Sequence, residues 1–199
     1  MLESPSLAAN PSASTAASPT ENPLPAAVPA VAGRPFNALA AYIQGAGRGE
    51  CAALARLSPD QPLRPHEIAA LARALLAAGL QPETWRPATW RRWTLIAHGM
   101  ALAGHNGAGR LGAQLAQAGV SESRVTKLLT ARGDAFTQLL PRVLRLLASK
   151  SVCPNWHELG PLVLKENSTE REDTQQAEHI RLRIAGAYFS AQTSSKKSL

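Results

Sequence analysis

Between residues 124 and 150 the chain carries six basic side chains, Arg124, Lys127, Arg132, Arg142, Arg145 and Lys150, against a single acid, Asp134. Arg124 and Lys127 are three apart, as are Arg142 and Arg145. On helices each pair shares a face. Too few acids stand nearby for internal ion pairs to absorb these charges. The face is either simply solvated or it tracks phosphate, which Arg grips with two parallel N–H donors. Contacts of that kind give affinity without sequence readout. Arg56 lies upstream, Arg91 and Arg92 sit among Trp85, Trp90 and Trp93, and Arg181 and Arg183 follow near the C-terminus. An aromatic face stacks on any base, but apolar neighbours at helical spacing favour core packing for Trp93 and Trp156.

Catalytic chemistry finds no footing. Neither His66-Glu67 nor His157-Glu158 is followed by a second His at metalloprotease spacing. Cys51 and Cys153 are too far apart for a Cys-x-x-Cys site. The run GAGRG (45–49) lacks the Lys-Ser/Thr of a P-loop and reads as a helix stop. No Gly-x-Ser-x-Gly elbow occurs. His98 and His105 share a helical spacing without a carboxylate, which favours packed, structural histidines. The densest acidic run, Glu170 to Asp173, has no His beside it. The chain is therefore expected to be no enzyme, with no metal and no cofactor.

The elements that must carry these residues are helical. Ala and Leu dominate, β-branched residues are sparse, and no alternating apolar run is long enough for a strand. Charge is uneven: residues 1–33 hold two acids and no base, residues 34–165 hold 16 bases and 7 acids, and residues 166–199 hold five of each. The basic excess thus belongs to the part expected to fold, where it attracts polyanions. Residues 1–33 include 9 Ala, 6 Pro and 5 Ser, the composition of a disordered leader. Helices are predicted around Phe36–Ile43, Cys51–Leu57, from Pro65 to a stop at Gly79, from Pro87 to Gly104, over Leu111–Ala118, from an Ser121 cap to Gly133, over Phe136–Leu147 with Pro141 inside, from an Asn155 cap, and over 174–191. The third is expected to bury Ile68, Leu71, Ala72, Leu75 and Leu76. The fourth is expected to bury Trp90, Trp93, Leu95, Ile96 and Met100. Residues 165–172 read as a linker or exposed loop. The fold class is all-α: a two-lobed helical bundle with lobes 34–106 and 107–199. No run matches a membrane span or a secretory signal. Two distant cysteines fit a reducing cytoplasm better than a disulfide.

Several segments, in order, resemble one family. They are GECAALARLSP (49–59), WTLIAHGMALAGHN (93–106), LGAQLAQAGVSESRVTKLLTARG (111–133), LRLLASKSVCPNWHELGPLV (144–163) and IRLRIAGAYFSA (180–191). Together they look like the small subunit, CasB, of the type I-E CRISPR surveillance complex Cascade. The resemblance does not extend to the leader. It implies a two-lobed helical bundle without an active site, present as paired copies beside the Cascade backbone subunits, the large subunit and crRNA. Such a subunit would stabilise the R-loop through a basic surface on target and displaced DNA strands, with no membrane involved. By position, Arg56 falls at a family basic residue and Arg124 on a Glu-x-Arg segment with Glu122. Arg145 falls on a basic pair, although its neighbour here is Leu144, and Arg91 and Arg92 lie near a basic position. The nucleic-acid-binding set is thus Arg56, Arg91, Arg92, Arg124, Lys127, Arg132, Arg142 and Arg145. The other reading of the same surface is a helical adaptor for an acidic protein partner.

Overall fold

The computed structural model describes residues 34–197. Among them run nine α-helices and no strand: α1 Arg34–Gly45, α2 Arg48–Ala55, α3 Pro65–Ala77, α4 Pro87–Ala103, α5 Leu111–Gln117, α6 Glu122–Thr130, α7 Gly133–Ser149, α8 Trp156–Lys165 and α9 Arg171–Lys197. The all-α expectation holds, and the expected leader lies outside the described residues. The helix starts have local causes. Pro65 and Pro87 occupy first-turn positions where a missing N–H costs nothing. Glu67 reaches back to accept the Arg64 N–H at 2.8 Å. Asn155 Oδ1 accepts the His157 N–H at 2.8 Å. α3 stops where Gly79 takes a φ of 76°, a left-handed backbone that side chains resist.

α4 is the centre of the protein. From Trp93 to Met100 every residue is buried, as befits a helix covered on all sides. It packs against α2, α7 and α8. Gly99 makes the last contact close: a Cβ there would stand 2.5 Å from Trp156 Cη2. Trp156 is wholly buried and donates its indole N–H to the Gly104 carbonyl at 2.9 Å. Buried side chains from α1 through α9 join in one cluster, and the boundary expected at 106–107 falls in the connection from α4 to α5.

α5 lies directly on α9. A Cβ on Gly112 would come within 2.1 Å of the Ile184 carbonyl oxygen and 2.6 Å of the Tyr188 nitrogen. Backbone cannot yield as a side chain does. Gly112→Ala is expected to push the helices apart and cost about 3 kcal/mol, the upper end of overpacking penalties. Gly186→Ala is the control, because its Cβ would meet nothing within 4 Å; it should stabilise by up to about 1 kcal/mol. Urea midpoints of the two variants check the contrast.

Two local expectations need correction, and one open alternative is decided. α3 buries Glu67, Ala70, Leu71, Ala74 and Leu75 and leaves Ile68 45% and Leu76 56% exposed. Its neighbours α1 and α2 cover one stripe, and the 68/72/76 row lies beside it. Trp90 is only half-buried, since it sits in the first turn of α4 before that helix enters the core. The stretch 165–172 takes the second of its two readings, a short loop. α8 ends at Lys165, α9 begins at Arg171, and Lys165 and Ser168 both bond the Asp173 carboxylate between them. These contacts hold that carboxyl below its ordinary pKa, Lys165 first and Ser168 next.

Candidate nucleic-acid interface

α6 buries Val125 and Leu128, which turns Arg124 and Lys127 outward. α7 buries Phe136, Leu140, Val143, Leu144 and Leu147, which turns Arg142 and Arg145 outward. The two helices meet so that Arg124, Lys127 and Arg142 rim one groove, floored by Leu139, Val143 and Leu146. Arg142 also walls the next groove, between α7 and residues 57–61, together with Arg145. Ser58 and Gln61 are shared with a third cleft, which holds Arg56, Arg64 and His66. The result is a continuous band from Arg64 and Arg56, across the 58–61 turn, to Arg145, Arg142, Lys127 and Arg124.

Glu67 and Asp60 also line these clefts, but they do not pair with the bases of the band. Among the described residues, none of Arg56, Arg124, Lys127, Arg142 and Arg145 forms an ion pair. Two like-charge pairs on helix faces cost a few tenths of a kcal/mol each, and packing gives no return for that cost. An anion would offset it.

The other sequence candidates are placed differently. Arg132 donates to Glu178 at 2.7 Å and to the carbonyls of Leu129 and Ala131, both at 2.9 Å. It ties the α6–α7 corner to α9 and lines none of the three grooves. Arg91 and Arg92 line a further cleft, which adjoins the Arg142/Arg145 groove through Pro59, Asp60, Thr137 and Gln138 and adds Asp134 and Glu166, so its charge is mixed. Arg92 is half-buried and helps lower the Asp173 pKa. Arg181, counted above among the late bases, is 5% exposed and paired with Glu166. Arg64 was missed, because in sequence it is only the residue before Pro65; the fold sets it beside Arg56.

Beneath Arg145 lies His98, 3% exposed, its Nδ1 without a partner among the described residues. Burial pushes its pKa below the ordinary histidine value, against a smaller upward pull from the Leu54 backbone, and nearby Arg145 lowers it further. His105 is lowered too, by burial and then by His157. Both rings therefore take up protons less readily when folded than when unfolded. Stability should fall as pH drops below about 6.5, the unperturbed histidine value. Urea midpoints between pH 7.5 and 5.5 should decline, and His98→Gln should flatten part of that slope.

No group of three or more His, Cys, Asp or Glu among the described residues could hold a metal ion. Cys51 and Cys153 are free thiols. No described helix is long and apolar enough to cross a membrane.

The family model for CRISPR-associated protein Cse2 matches residues 50–189. The chain belongs to the Cse2 family. No curated protein and no solved structure matches it. Cse2 and CasB denote the same small subunit of type I-E Cascade, so the resemblance read from the sequence stands, and the chain is a Cascade small subunit. The Cse2 match includes Arg56, Arg91, Arg92, Arg124, Lys127, Arg132, Arg142 and Arg145. α1 and all that precedes it lie outside the match. Cse2 proteins are structural members of the Cascade assembly.

Proposed function

We propose that this small subunit binds nucleic acid through the band of Arg56, Arg64, Arg124, Lys127, Arg142 and Arg145 and thereby stabilises the R-loop during crRNA-guided recognition of foreign DNA. It contributes no catalytic step. It works in the cytoplasm, paired with a second copy of itself, against the Cascade backbone subunits, the large subunit and crRNA. The observation that carries the reading is the run of four unpaired bases on α6 and α7 along two connected grooves. Phosphates of target and displaced strands supply the missing counter-charge. Guide pairing supplies the sequence specificity while the protein senses backbone, as in other RNA-guided systems.

The test is purification of the tagged chain from its native cell, with and without nuclease, followed by mass spectrometry and RNA sequencing. Recovery of crRNA with the backbone subunits, and of DNA that nuclease removes, supports the proposal. Recovery of an acidic, nuclease-insensitive protein partner and no RNA would establish the adaptor reading in its place.

A further inference from the structure

The 58–61 turn has a second side. Beside the α7 groove, Pro59, Pro62, Leu63, Ile68 and Trp90 line an apolar groove of about 420 Å³, with Arg91 among its lining. Trp90 does not float. It stands edge-to-face on Trp85, with ring centroids 6.1 Å apart and planes at 70°. Trp85 stacks on Trp93 at 5.7 Å, and Trp93 stacks on Phe36 at 5.7 Å. Trp93 and Phe36 are core residues, 5% and 2% exposed. Trp90 is thus the half-exposed end of an aromatic column rooted in the core. Its pose is set before any ligand arrives, which reduces the ordering cost of binding.

We infer that this groove takes one unpaired nucleobase of a single strand, stacked on Trp90, with the adjoining phosphate on Arg91. The inference rests on the nucleic-acid reading above and names the part of the ligand that the basic band alone does not recognise. Three features favour a base over another apolar occupant. The groove is continuous with the band: Asp60 and Gln61 line both this groove and the Arg142/Arg145 groove. Its charged lining is one base and one acid: Arg91 attracts phosphate and Asp60 repels it, which leaves the apolar walls to the base. Basic tracks joined to aromatic platforms are also how proteins hold single strands without reading sequence. The Thr94 hydroxyl at its inner end is already donated to the Trp90 carbonyl at 2.8 Å. A base within a duplex is stacked on both faces, so the preferred ligand is single-stranded.

The experiment compares the affinity of the full chain for oligothymidine and for an abasic strand of equal length and phosphate number, by fluorescence anisotropy. The wild type should prefer oligothymidine about tenfold, within the range for stacking one base on an aromatic side chain. Trp90→Ala should lose the preference and keep its affinity for the abasic strand. Trp90→Phe should keep most of the preference, and it serves as the folded comparison if the alanine variant loses helicity. Equal binding of both strands by the wild type, or an undiminished preference in Trp90→Ala, would overturn the inference and leave the basic band standing. Failure of either strand to bind the wild type would overturn the band as well. Equal strand affinities with self-association abolished by Trp90→Ala would assign the groove to a second copy of the chain.

Discussion

Arg181→Met should lower stability by about 3–5 kcal/mol, the loss expected when one member of a buried ion pair is removed. Arg181 and Glu166 are 5% and 7% exposed and bonded to each other. Glu166 caps α8, and its other oxygen accepts the Gly133 N–H at the start of α7, 2.8 Å away. Arg181 comes from α9, bonds Glu178 at 2.8 Å, and lies 5.9 Å from the centroid of the Phe136 ring. Three helix segments therefore meet on one charge pair. Methionine would fill most of the volume but leave the Glu166 carboxylate buried with one backbone donor. For a chain of this size the loss corresponds to a fall in Tm of roughly 6–20 °C. Glu166→Gln in the same chain should recover much of it, since the amide oxygen still accepts from Gly133 and no charge remains buried. Urea unfolding of wild type, both single variants and the double variant measures this coupling. A double variant no more stable than Arg181→Met would show that packing, and not the stranded charge, carries the cost.

Reversal of Arg124, Lys127, Arg142 and Arg145 to Glu should weaken DNA binding on the order of a hundredfold at physiological salt, with helicity and unfolding midpoint preserved. The more diagnostic quantity is the salt dependence. Each phosphate contact contributes roughly 0.9 to the slope of log K against log salt for duplex and roughly 0.7 for a single strand, so removing four should reduce the slope by about 3. Exchanging the four for Gln should reduce the slope similarly and raise stability by a few tenths of a kcal/mol, because two like-charge helix pairs disappear. Arg132→Glu is the contrasting control. Its side chain is already bonded to Glu178 and two carbonyls, so it should lower stability and leave the slope nearly unchanged. Unchanged affinity and slope in the quadruple variants would remove α6 and α7 from the binding surface.

Much of the interface was legible before any fold was known. The three-residue spacings of Arg124 with Lys127 and of Arg142 with Arg145 place each pair on one helix face whatever surrounds it, because helix geometry is local. The scarcity of acids between 124 and 150 likewise announced charges without internal partners. The ion pairs of Arg132 and Arg181 were not legible in the sequence for the opposite reason. Their partners Glu178 and Glu166 are 46 and 15 residues away, and pairing over such separations is decided by how α7, α8 and α9 come together. Ile68 and Leu76 show the same limit in the core. Periodicity announced an apolar face on α3, but which of two adjacent rows is buried depends on where α1 and α2 lie.

The sequence by itself thus determined the helical class, the helix starts at Pro65, Pro87 and Asn155, the family, and the two basic pairs, since each depends on residue type and on neighbours within about one turn. Tertiary structure alone decided that Arg142 would join the α6 groove to the 57–61 turn and that Arg64 would stand beside Arg56. It also decided that Arg181 would be spent inside and that Trp90 would end an aromatic column at the surface. Each of these depends on helices distant in sequence being brought together, and burial of the shared apolar core around α4, not any local preference, sets where they meet.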